Sequence, residues 1–385
     1  MPNAHIVKKN LKPFPIKGGD FSYEFISMSK YDKLIYVKGR GDKFFLQMID
    51  KEDEILLKAD KITKPTNVKV VQDAIKYFIE ANEMEIIQSN IFSTRNHLNK
   101  KSPFQKDIFF YQDFKPDANI EIEIGFGSGR HILYRAKENP DTIFIGIEIH
   151  KPSIEQLLKQ CEFQNIKNIF VIDYDARILL QTLLSNIVDK IYLHFPVPWD
   201  KKPHRRVISK SFINEAIRVL KPGGKFELRT DSQNYFEYSY DLFISLKQSE
   251  IIVKKNIDID IVSKYEDRWK KMEKNIYDII FINQELSEEK EIFEISGFDK
   301  KVNFSKLYKK FKNHTIREED CFVHFENIYK TDDNNGIIQL SFGSYGKSEH
   351  RYLLINEKVT YLPSKILPTK QNIYADKIIK EFIYE

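Results

Sequence analysis

Three carboxylates occupy equivalent places in the middle of this chain. Glu123 opens the run Glu123-Ile-Gly125-Phe-Gly127-Ser-Gly129, Glu148 lies in TIFIGIEIH, and Asp175 lies in DYDAR. Each follows a short apolar run with β-strand character, and each precedes a helical stretch. A glycine loop between a strand and a helix is where a nucleotide-type cofactor is held. The spacing here is G-x-G-x-G, with Arg130 at the sixth position, where a dinucleotide fingerprint has its third glycine. Glu123 beside such a loop would repel a pyrophosphate and attract a cation. Glu148 is placed to accept both hydroxyls of a ribose, and Asp175 the amino group of an adenine. A crevice with three carboxylates suits a nucleoside ligand that is cationic and lacks phosphate. S-adenosylmethionine, with a sulfonium and an ammonium, meets that description; Gly125 and Gly127 would let it approach the backbone.

A second group of residues follows the fourth apolar run. His194-Phe195-Pro196-Val197-Pro198-Trp199 leads into Asp200-Lys201-Lys202-Pro203-His204-Arg205-Arg206. The prolines favour an extended turn. Lys201, Lys202, Arg205 and Arg206 beside Trp199 suit phosphate neutralisation and base stacking on RNA. The fifth run ends at Thr230-Asp231. A carboxylate there can accept the N1–H and amino protons of guanine, whereas adenine has no donor at N1. Capping of the helix that follows is the structural use open to Asp231.

These residues need a scaffold that brings strand ends together. From about residue 117 the pattern alternates: NIEIEIGF, TIFIGIEIH, NIFVIDY, DKIYLHF and KFELRT read as strands, with helical stretches between them. Such alternation predicts an α/β fold with a doubly wound, mostly parallel sheet. The flanks differ. Residues 1–94 read as β-rich with one helix over 67–82 and a turn at Gly39 and Gly41. Residues 286–385 read as a β meander with a turn at Asn335-Gly336 and a last helix, ADKIIKEFIY. The catalytic-type pattern is confined to 95–285.

Composition narrows the setting. Hydrophobic residues make up 42% and charged residues 30% of the chain, which excludes disordered and fibrous classes. Two cysteines, Cys161 and Cys321, are too few for a disulfide framework or a Cys-rich zinc module, so plain thiols and no metal are expected. No apolar run reaches the roughly 20 residues of a membrane helix, and MPNAHIVKKNLKPF lacks a secretory core. A cytoplasmic protein is expected. The net charge of +5 permits a nucleic-acid partner without requiring one.

In order and spacing, EIGFG, GIEIH, DYDAR, FPVPW-DKKPHRR, LKPGG and LRTD resemble the bacterial tRNA (guanine-N7)-methyltransferases. The segment FPxPW with its basic loop is the most specific part. The resemblance implies a Rossmann-like class I methyltransferase that takes its methyl from S-adenosylmethionine and acts on a guanine in the tRNA variable loop. By position it implies cofactor contacts at Glu123, Gly125, Gly127, Glu148 and Asp175, and substrate contacts at Lys201 and Asp231. Ser263-Lys-Tyr-Glu266 is similar to the family's late T-x-[FY]-E segment, which adds Glu266. One departure stands out: the family's F-P-D-P-W has Val197 in place of its aspartate. Guanine N7 has a free lone pair and no proton to lose, so alignment alone can suffice. No residue is therefore assigned as catalytic, although Asp231 or Asp200 could stabilise the cationic product. Two alternatives remain open, another RNA methyltransferase and a tRNA-binding protein that has lost catalysis. NAD chemistry is disfavoured by Arg130 and Glu123. The flanks have no counterpart in the usual family member and would serve either the tRNA grip or oligomerisation.

Overall fold

A computed structural model describes residues 1–65, 67–92, 102–258, 274–291, 293–345 and 347–385. The chain forms two units, Lys100–Ile292 and a second made of Met1–Asn99 with Phe293–Glu385.

The first flank supplies strands β1 (Asn3–Val7), β2 (Ile16–Gly18), β3 (Phe21–Met28), β4 (Lys33–Gly39), β5 (Asp42–Asp50), β6 (Glu54–Ala59) and β7 (Ile86–Ser89). The β4–β5 hairpin turns through Arg40 (φ 50°) and Gly41 (φ 82°), the left-handed pair that a two-residue hairpin favours. Helix α1 (Val68–Ala81) begins at Asn67, whose side chain accepts from Lys69 N at 2.9 Å. Its apolar residues recur at helical spacing and bury Val71, Ala74, Ile75 and Phe78 against the sheet.

The central unit contains β8 (Asn119–Ile124), α2 (Arg130–Glu138), β9 (Thr142–Ile147), α3 (Lys151–Phe163), β10 (Ile169–Ile172), α4 (Ala176–Thr182), β11 (Val188–His194), α5 (Lys210–Val219), β12 (Leu220–Thr230), α6 (Gln233–Ile244), β13 (Glu250–Lys255) and β14 (Tyr277–Ile282). Its strands run in the order β10-β9-β8-β11-β12-β14-β13. All are parallel except β14, which is antiparallel to both neighbours. This is the doubly wound, mostly parallel sheet expected from the alternation. The strand order reverses between β8 and β11, and a crevice opens beyond the C-terminal ends of strands at such a reversal. One sheet face packs Phe226 and Phe281 against Phe212 of α5 and Phe243 of α6. Two details differ from the sequence reading. Strand β12 starts at Leu220, ahead of the KFELRT run, with Leu220-Lys-Pro-Gly-Gly224 as its irregular beginning. Strand β13 is an additional, largely exposed edge strand.

The last flank supplies α7 (Phe304–Lys310), β15 (His314–Arg317), β16 (Phe322–Lys330), β17 (Gly336–Ser344), β18 (Lys347–Ile355), β19 (Val359–Leu362) and α8 (Lys370–Tyr384). The meander joins the first flank in one 12-stranded sheet, where Lys330 of β16 pairs with Met28 of β3. Two buried tyrosines tie the halves: Tyr352 donates to Asp60 at 2.8 Å, and Tyr329 reaches Asp32 at 3.3 Å. Cys161 and Cys321 are buried free thiols, and burial pushes the Cys161 thiol up to about 12. Among the described residues no helix is long and apolar enough to cross a membrane.

Candidate active site

The loop after β8 owes its shape to three glycines. Gly125, Gly127 and Gly129 have φ of 71°, 52° and 74°, a region that side chains other than glycine rarely enter. At Gly129 space also matters, since a Cβ would lie 2.9 Å from Leu157 Cδ1 of α3. In front of Gly125 the space is open, and a Cβ at Gly127 would meet nothing nearer than 3.9 Å. Neighbouring side chains thus leave the loop backbone at Gly125 and Gly127 unobstructed. Gly125 N donates to Ile147 O at 2.8 Å and holds the loop to the end of β9, which Glu148 N ties in turn to Ile172 O of β10 at 3.2 Å.

Glu148 braces this edge. Its Oε2 accepts Gly127 N at 3.0 Å, and its Oε1 accepts Ile149 N at 2.8 Å and His150 N at 3.0 Å. Three backbone donors fix the direction of the carboxylate. Glu123 is buried, and its Oε2 lies 2.9 Å from His131 Nδ1 on α2, which leaves Oε1 for an incoming cation. Asp175 caps α4, accepting Arg177 N at 3.0 Å, and pairs with the same residue's guanidinium at 2.8 Å. The cofactor acids expected from sequence therefore stand on the three adjacent strand ends β8, β9 and β10.

The loop after β11 is built differently from its sequence reading. Arg206 is not presented to a ligand. It is buried, donates to Pro198 O at 2.7 Å, and lies over Tyr238 at 4.7 Å and Tyr235 at 5.2 Å. A guanidinium in that position closes the loop on itself. Arg205 stacks on Trp199 at 5.0 Å, while Lys201 and Lys202 are exposed. Phe195 and Trp199 both have φ of 49°, and the Val197 side chain between them is 61% exposed. At the end of β12, Ser232 caps α6 by accepting Tyr235 N at 3.2 Å. Asp231 is thereby released from capping and pairs with Lys274 at 2.8 Å. Glu266 lies outside the described residues.

One constellation went unread in the sequence. The sheet face bearing Glu121 and Glu123 of β8 continues through Lys190, Tyr192 and His194 of β11 to Glu227 and Arg229 of β12 and Asp278 of β14. Tyr192 OH donates to Glu121 at 2.9 Å, and Arg135 pairs with Glu121 at 2.8 Å. His194 lies 3.0 Å from Glu227, whose other oxygen meets Lys190 at 2.8 Å. The His131 and His194 rings lie 4.8 Å apart, so the network runs from beneath the glycine loop to beneath the loop after β11. The signal was present as polar residues at every second position of NIEIEIGF, DKIYLHF and KFELRT, since buried parallel strands usually read as continuous apolar runs.

Burial alone would raise the Glu227 carboxyl, but His194 and Lys190 outweigh it and hold the group below the usual carboxylate range. A lowered folded-state pKa stabilises above the unfolded value, and that stability is lost as pH falls through the folded one. Glu227→Gln should therefore lower the denaturant midpoint at pH 7. It should also flatten the decline of that midpoint below about pH 4.5, near the unfolded value. Denaturation series between pH 3 and 7 check both.

Comparison with known proteins gives a consistent result. Residues 117–279 match the family described as "Putative methyltransferase". A curated tRNA (guanine-N(7)-)-methyltransferase of Campylobacter jejuni is 41% identical, over 100% of this chain and 98% of its own length. Relatives bearing the same name are 38% identical in Helicobacter pylori, over 98% of each chain, and 36% identical in Wolinella succinogenes, over 96% of each chain. These alignments span both flanks as well as the central unit.

Proposed function

The chain belongs to the tRNA (guanine-N(7)-)-methyltransferase family, and from that premise we propose that it transfers a methyl group from S-adenosylmethionine to N7 of a guanine in the tRNA variable loop. The observation that carries the reading is the unobstructed loop backbone at Gly125 and Gly127, flanked by Glu123 and by the braced Glu148. Bound there, S-adenosylmethionine supplies an electrophilic methyl on a sulfonium. Glu123 neutralises its ammonium, Glu148 accepts its ribose hydroxyls, Asp175 accepts its adenine amino group, and the glycines admit it to the backbone. This work belongs to the cytoplasm, where tRNA matures.

Lys201 meets the tRNA phosphates, and Asp231 accepts the guanine N1–H and amino protons. Guanine N7 attacks with its own lone pair; the N–C bond forms as the S–C bond breaks, and no proton leaves. The protein's task is alignment, together with stabilisation of the positive charge that the base acquires. A base at position 197 is not required, and at so exposed a position a carboxylate would be solvated. Asp231→Ala should cut the single-turnover rate by about 10- to 100-fold, the range for loss of a positioned electrostatic partner. Affinity for the methyl donor should stay within about 3-fold, since Asp231 faces the base and not the donor. An unchanged rate would remove Asp231 from the site.

The direct test is methyl transfer from labelled S-adenosylmethionine to bulk tRNA, with digestion and identification of the nucleosides. Label in 7-methylguanosine, mapped to a variable-loop fragment, supports the proposal. Label in a different nucleoside changes the substrate. Donor binding with no transfer favours an RNA-binding protein without catalysis.

A further inference from the structure

One short segment of the last flank is rich in lysine and free of acids. Lys300, Lys301, Lys306, Lys309, Lys310 and Lys312 stand within thirteen residues that contain no Asp or Glu. Six positive charges there, in a chain of net charge +5, leave the remaining residues at −1. Ordinary protein surfaces intersperse both signs; an acid-free lysine block on an otherwise balanced protein is a field directed at a polyanion.

The fold sorts the lysines into two sets. Phe304 and Leu307 bury one side of α7 in the core of the last flank, and this turns the lysines outward. Lys306 and Lys310 donate to the backbone carbonyls of Glu385 and Phe382, and Lys300 lies over the Tyr384 ring at 5.5 Å, so these three pin the segment to the end of α8. Lys301, Lys309 and Lys312 are exposed and have no ion pair among the described residues. Tyr308, 39% exposed, sits among them with the Lys330 amino group 5.8 Å from its ring. Cations interleaved with an exposed aromatic ring suit a nucleic-acid backbone with an unstacked base.

We propose that Lys301, Lys309 and Lys312 with Tyr308 form an RNA-contacting surface on the flank, through which the protein grips its tRNA at a place other than the methylated guanine. The proposal rests on tRNA being the substrate. Its contribution is to binding alone, since the surface lies outside the unit that carries the donor crevice.

The test compares the wild-type protein with the triple variant Lys301→Ala/Lys309→Ala/Lys312→Ala, using bulk tRNA as the probe over a range of salt. Each phosphate contact contributes roughly 0.7 to 0.9 to the slope of log affinity against log salt. The triple variant should lose about 2 to 3 from that slope and bind at least about 10-fold more weakly at low salt. Its rate at saturating tRNA, its donor affinity and its melting temperature should match the wild type. The corresponding triple Lys→Arg variant should retain the slope. A triple Ala variant with wild-type slope and affinity overturns the proposal, as does a loss shared equally by the Arg variant. A wild-type protein that binds tRNA with the expected slope but transfers no methyl would overturn the enzymatic reading and leave this surface standing.

Discussion

Glu148→Ala is expected to weaken S-adenosylmethionine binding by about 100-fold or more. Two ribose hydroxyls on a carboxylate make two charge-assisted hydrogen bonds of about 1.5–3 kcal/mol each. With about 1.4 kcal/mol per factor of ten, their loss alone reaches that figure. The same substitution strands the N–H groups of Gly127, Ile149 and His150, which now share one carboxylate. The glycine loop then loses its brace, and melting temperature should fall with affinity. Glu148→Gln keeps one acceptor oxygen and should lie between Ala and wild type in both measurements. Calorimetric titration with the donor reads the first effect and thermal unfolding the second. Unchanged donor affinity in the Ala variant would remove Glu148 from the donor site.

The second large effect concerns the floor of the site. Arg229 of β12 and Asp278 of β14 form a bidentate pair at 2.6 and 2.7 Å, with side chains 1% and 7% exposed. Removing one partner leaves an uncompensated buried charge, which costs about 3–5 kcal/mol, whereas replacing both by apolar residues is often close to neutral. Asp278→Leu or Arg229→Met alone should lower the denaturant midpoint of the central unit sharply. The double variant should recover most of the loss, although Ile257 O would lose the Arg229 donor that now lies at 3.0 Å. Denaturation of the two single variants and the double, treated as a cycle, measures the coupling. A double variant as unstable as either single would show that the pair holds the sheet by more than mutual charge.

Much of the central unit is legible in the sequence because its signals are local. Strand, glycine loop, helix and terminal acid follow one another within a few residues, and the parallel sheet follows from their repetition. The misses share a cause, which is that residue type does not reveal direction. Arg206 reads as one more cation in a basic loop; only the positions of Tyr235 and Tyr238 turn it inward. Asp231 reads equally well as a cap, until Ser232 is seen to take that role. Strand β13 escaped because an exposed edge strand has no apolar alternation to read. Helix α7 escaped because its seven residues are short and rich in lysine, with only Phe304 and Leu307 to mark the buried side. The pairing of Met28 with Lys330 spans most of the chain, and no local pattern encodes it.

That last pairing bears on how the protein is made. Synthesis runs from the N-terminus, and units tend to fold as they emerge. The strands β1–β7 and α1 leave the ribosome first and have a core of their own around Tyr23, Phe44, Phe78 and Ile79. Their partner β16 lies some three hundred residues later, beyond the whole methyltransferase unit. Until it arrives, the Met28 end of β3 lacks its neighbour on the side where β2 covers only Phe21–Tyr23, and an uncovered strand end invites pairing with another chain. The nascent protein therefore passes through a period in which its first unit is folded yet unfinished. The insertion of the central unit between the two halves of one sheet sets the length of that wait.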